Sequence, residues 1–87
     1  MAKYDRLKIQ KILARNILYH MGENGMSVTE LAVGCDVTVS SMKQLLAGLQ
    51  FVSSRTLATI CEVLHVTPDM LFVDRGDDEE IDVAAEG

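Results

Sequence analysis

The chain has 87 residues and a mass of 9.6 kDa, room for one small domain and not for a large enzyme with a deep, multi-layer active site. Apolar residues make up 48%, charged residues 24% and aromatics 5%, a globular composition. The formal net charge is −5, at first sight a poor balance for a nucleic-acid binder.

The charge is unevenly placed. Residues 74–87 hold seven acids and one base, Arg75, whereas residues 1–73 hold seven bases and six acids. The body is therefore nearly neutral and the acidity belongs to the last segment. Five of the body's bases fall in the first fifteen residues: Lys3, Arg6, Lys8, Lys11 and Arg15. Only Lys43 and Arg55 follow before Arg75. No run of about 18 apolar residues offers a membrane span, and the opening Met-Ala-Lys-Tyr-Asp-Arg has no apolar stretch of the secretory kind. A cytoplasmic protein is expected. Two cysteines, Cys35 and Cys61, are separated by 25 residues and stand where apolar residues would suit the pattern. Buried free thiols are expected rather than a metal pair.

The first helix is expected from Asp5 to Glu23, because Ile9, Ile12, Leu13, Ile17 and Met21 recur at spacings of three and four. Gly22 and Gly25 bracket its stop. The second is short, Val28 to about Gly34. Ser27 with Glu30 is a capping box, Leu31, Ala32 and Cys35 form the inner face, and Gly34 is assigned the sharp turn that follows. A third helix, Val39 to Ala47, has Thr38 as cap, Gly48 as terminator and Met42, Leu45 and Leu46 as apolar positions. The fourth, Ser54 to Leu64, is capped by Ser53 and carries Leu57, Ile60, Cys61 and Leu64 at i, i+3, i+4 and i+7. A fifth opens at Thr67-Pro68 and returns Leu71 and Phe72 to the core. No strand and no repeat is expected. Residues 1–73 form the domain, and the acid-rich residues 74–87 are read as a disordered tail, too poor in apolar surface to order themselves.

Short helix, tight turn, short helix inside an all-α bundle is a helix-turn-helix arrangement. The series Asn16-Ile17, Gly25-Met26-Ser27, Glu30-Leu31-Ala32, Val37-Thr38, Ser40, Gly48, Thr56-Leu57, Ile60-Cys61, Leu64-His65-Val66 and Leu71 resembles the Cro/CI-type, lambda-repressor-like family of bacterial and phage regulators. The likeness covers about residues 12–73. It implies an all-α, five-helix bundle, with helix 39–47 as the recognition helix in the major groove of double-stranded DNA and two copies acting as a dimer. Ser40, Ser41, Lys43 and Gln44 are then the base-contacting residues, and Thr38 and Gln50 the backbone contacts. Gln44 can take adenine with two hydrogen bonds, and Lys43 can reach guanine or a phosphate.

The chain also departs from that family. Val28 stands where a phosphate-holding Gln is common, Val39 opens the recognition helix, and the following loop reads Leu49-Gln50-Phe51-Val52 instead of a basic sequence. Affinity for the phosphate backbone needs cations facing it, and between Arg15 and Arg55 only Lys43 supplies one. Val28, Val39, Leu49, Phe51 and Val52 would instead suit a protein contact, as in an anti-repressor, an antitoxin or a co-regulator. One or two of them, Phe51 among these, have a second place as core against the fourth helix.

His20 replaces an apolar residue and has no ligand-spaced partner in His65, so no metal and no cofactor is expected. Nothing resembles a phosphate loop or a nucleophile triad, and no enzyme is expected. Lys8, Lys11 and Arg15 share a helix face open to DNA, RNA or the acidic tail, or simply to solvent. The tail has its own alternatives: a solubilising end, a competitor for DNA, or the contact for a partner protein.

Overall fold

In the computed structural model, which describes residues 4–74, four α-helices and one 3-10 turn follow one another, and no strand occurs among those residues. Helix α1 (Arg6–Asn24) starts where the Asp5 carboxylate accepts the Lys8 amide at 2.8 Å. Helix α2 (Val28–Gly34) starts on the expected capping box. Ser27 Oγ accepts from the Glu30 N–H at 3.1 Å, and Glu30 Oε1 accepts from the Ser27 N–H at 2.9 Å. Helix α3 (Val39–Leu46) is capped by Thr38, whose Oγ1 takes the Ser41 N–H at 3.0 Å. Helix α4 (Ser54–Leu64) is capped by Ser53. Each cap satisfies an amide that the helix itself leaves unpaired.

The helices also stop alike. A residue just beyond each one turns left-handed: Gly25, Asp36, Gly48 and His65, with φ of 61°, 57°, 77° and 59°. The chain then folds back so that two successive amides reach the last carbonyls. After α3 these are Gly48 N–H to Leu45 C=O and Leu49 N–H to Gln44 C=O, both at 3.0 Å. After α2 they are Asp36 N–H to Val33 C=O at 3.1 Å and Val37 N–H to Ala32 C=O at 3.0 Å. The turn of the helix-turn-helix therefore belongs to Asp36 and not to Gly34. Gly34 is helical, and its importance is contact: a Cβ there would sit 3.2 Å from Val63 Cγ2 on α4.

The inward faces meet in one core of Leu13, Ile17, Met21, Leu31, Ala32, Met42, Leu45, Leu46, Ile60, Leu64 and Leu71, with both cysteines buried among them. Helices α2 and α3 pack on each other, α3 rests on α1, and α2 on α4. Residues 68–72 were expected as a fifth helix; they form a 3-10 turn, Pro68–Phe72, packed mainly on α1. The expected tail, except Asp74, lies outside the described residues.

The reason for that turn is Asn16. Its side chain is fully buried on the core face of α1. Its Nδ2 lies within hydrogen-bond distance of three carbonyls, Ile12 at 2.9 Å, Leu71 at 3.0 Å and Val73 at 2.9 Å, which share its two N–H protons. The Leu71 and Val73 carbonyls are thus held by a side chain of α1, which ties residues 68–73 to that helix. Replacing Asn16 by Ala removes the side-chain donor from the carbonyl of the buried Leu71, which costs about 1–3 kcal/mol, and opens a cavity besides. Asn16→Ala is expected to lower unfolding free energy by about 2–4 kcal/mol in urea titrations. Amide exchange in residues 68–73 should accelerate more than in α2 or α3; equal acceleration everywhere would refute a local latch.

Candidate nucleic-acid interface

Helix α3 buries Met42, Leu45 and Leu46 and leaves Ser40, Lys43 and Gln44 exposed, with Ala47 exposed just beyond its end. Those four stand at i, i+3, i+4 and i+7, so they form one outward stripe. The stripe mixes a hydroxyl, an ammonium and a carboxamide, the donor and acceptor types that read base edges. Lys43 lies in the last turn of α3, where the helix dipole favours a cation. Thr38 is exposed at the other end. Its oxygen accepts the Ser41 amide, and its hydroxyl proton is left to donate outward.

Ser41 and Gln50 stand apart from this stripe. Ser41 is half-buried, and its Oγ accepts from Gln50 Nε2 at 3.4 Å. The pair sits in a shallow groove of about 220 Å³ between α3 and the start of α4, beside Val37, Phe51, Ser53 and Thr56. Of the four base-contact candidates, Ser40, Lys43 and Gln44 point outward together, and Ser41 points to the loop. Gln50 is exposed but leans on α3.

The apolar rim divides. Leu49 and Phe51 are exposed, at 72% and 46%. Val28 and Val39 are half-buried and pack against the core, and Val52, 6% exposed, belongs to the core itself. Leu49 and Gln50 lie in the bend that follows α3, and of the three apolar residues in 49–52 only Val52 turns into the core. A surface of five apolar residues is therefore reduced to two.

One feature was not evident in the sequence. Gln10 Nε2 donates to Gly48 C=O at 3.0 Å, and a Cβ on Gly48 would stand 3.1 Å from Lys11 Cγ. The basic face of α1 thus abuts the end of α3. Only the left-handed glycine hinted at such an approach. At the start of α2, the Glu30 carboxylate occupies the Ser27 amide, so a negative charge stands where the helix dipole would otherwise welcome a phosphate.

The family model for the Cro/C1-type HTH DNA-binding domain matches residues 16–77. The chain belongs to the Cro/C1-type helix-turn-helix family. That family is a DNA-binding, regulatory and non-catalytic module, and no cluster of metal-binding groups occurs among the described residues. No helix among them is long and apolar enough to cross a membrane. No curated protein matches the chain. In this Cro/C1-type domain α2 and α3 are the helix-turn-helix pair.

The thiols have no place in the site. Burial pushes the Cys35 thiol up, and burial together with the Asp69 charge pushes Cys61 up, which keeps both in the unreactive protonated form.

Gly48 is the joint between α3 and α1, and a side chain there meets both a left-handed φ and Lys11. Gly48→Ala is expected to cost about 1–2 kcal/mol. Gly22, helical and with nothing near its missing Cβ, should give the opposite sign on the same change, a gain of about 0.5–1 kcal/mol. Thermal melts of the two variants check the pair; stabilisation by both would remove the argument from Gly48.

Proposed function

We propose that this domain is a small sequence-specific, repressor-like transcriptional regulator that lays α3 in the major groove, with two copies reading half-sites about one DNA turn, roughly 34 Å, apart. The observation that carries the reading is the outward stripe Ser40, Lys43 and Gln44 on a helix capped at one end by Thr38 and fixed to α1 at the other. Gln44 and Lys43 supply base contacts, with Ser40 beside them. Ser41 completes the set through the loop, and Thr38 and Gln50 meet the backbone. Lys43 is the one charged residue of α3, so affinity at this surface depends on directed hydrogen bonds more than on counterion release.

The exposure of Leu49 and Phe51 favours a second reading, a helix-turn-helix scaffold working through protein contact. An anti-repressor, antitoxin or co-regulator fits. Val28, Val39 and Val52 contribute little to such a contact because the core already holds them.

Nitrogen-15 labelled protein titrated with a mixed-sequence duplex at about 50 mM salt, where screening is weak, separates the readings. Shifts concentrated in residues 38–50 support the first. No shift at near-millimolar DNA rejects it. On a selected operator, Lys43→Ala with Gln44→Ala should lose about 10- to 100-fold in affinity, since a good base contact is worth about 1–3 kcal/mol. Under the second reading the same pair is silent, and Phe51→Asp abolishes partner binding.

A further inference from the structure

We infer that the basic face of α1 is the docking surface for the chain's own acidic segment, residues 77–82, so that Lys8, Lys11 and Arg15 are covered by Asp77, Asp78, Glu79, Glu80 and Asp82. Three observations lead there. Lys8, Lys11 and Arg15 line one shallow depression on α1, together with Asp5, Leu7 and Ile12. The chain leaves the described domain beside that face. Val73 C=O is held by Asn16, and the Asp74 carboxylate accepts from the Tyr4 hydroxyl at 3.1 Å. The Lys8 ammonium lies 5.5 Å from the centre of the same Tyr4 ring. The third is charge: five acids fall within the six residues 77–82.

Reach presents no obstacle. An extended chain advances about 3.3 Å per residue, which puts Asp77 within about 10 Å of Asp74 and Asp82 within about 26 Å. The three bases span seven residues of helix, about 10 Å. A tether this short gives the segment an effective concentration in the millimolar range, enough for a contact made of several weak ion pairs. The docked segment neutralises the cations nearest the end of α3, where Lys11 meets Gly48. It is a built-in competitor for any phosphate backbone approaching from that side.

The test needs no DNA. In the full chain, Asp77→Asn, Asp78→Asn, Glu79→Gln, Glu80→Gln and Asp82→Asn are combined, and amide spectra are compared at about 50 mM and about 1 M salt. At low salt the amides of residues 4–15 should differ between the two proteins while those of α2 keep their positions, which also shows that the variant folds. At about 1 M salt, where the screening length is about 3 Å, the difference should vanish. Unchanged amides in residues 4–15 at low salt overturn the inference. So does a difference that survives high salt. The DNA-reading role of α3 can fail without affecting this outcome. Where a mixed-sequence duplex does bind, the neutralised chain should bind it about tenfold tighter at low salt, and equal affinity would overturn the competition.

Discussion

A single buried carboxamide organises the domain. Asn16 sits in the middle of the apolar face of α1 and spends its N–H groups on carbonyls of residues 12, 71 and 73. Helix α1 packs on α3, on α4 and on the 3-10 turn. The 3-10 turn closes the remaining side, and Leu71 completes the core. A turn of five residues carries too little apolar area to hold itself in place. Directed hydrogen bonds do so, above all the buried one to Leu71, because breaking it leaves polar groups away from water. The same latch fixes where the chain leaves the domain, beside Tyr4 and the basic face of α1.

From this frame the position of α3 follows. Its inner residues meet α1 and α2, its start is capped, and its end is bound through Gly48 to Gln10. A short helix of eight residues is unstable alone. Here both ends and the inner face are fixed, so the outward side chains are presented on a rigid support. Such a support suits recognition by geometry, in which little ordering remains to be done on contact.

Much of this fold was legible in the sequence because its signals are local. Ser27 with Glu30, Thr38, Ser53, Gly25 and Gly48 act within a few residues, and each marks the boundary it was assigned. Asp36 and His65 escaped because a left-handed residue without glycine has no compositional mark. Gly34 drew the turn to itself, although its missing Cβ makes room for Val63, a neighbour 29 positions away in sequence. The role of Asn16 depends on residues 55 and 57 positions along, beyond any periodicity argument. At the interface the family resemblance drew attention to Ser40, Lys43 and Gln44 but included Ser41, which is half-buried against Gln50. The burial of Val52 was not legible, because a loop without a helical or strand period does not reveal which of its apolar residues faces inward.

Under the proposed function and the inferred contact of the acidic segment, the charge distribution gives two surfaces different tasks. The cations of α1 are many and close together, whereas α3 carries Lys43 alone among polar neutral groups. Phosphate attraction is nearly the same at every base sequence, so the α1 face can set how strongly DNA is held but not which sequence is chosen. A tethered acidic segment competing for those cations subtracts the same free energy from every complex that uses them. It lowers affinity and the salt dependence without changing the ratio between one sequence and another. On that proposal discrimination falls to Ser40, Lys43 and Gln44, because hydrogen bonds to base edges depend on the bases met. An acidic chain is thus compatible with a DNA-reading helix, because the net charge of the molecule and the charge of its reading face are separate quantities.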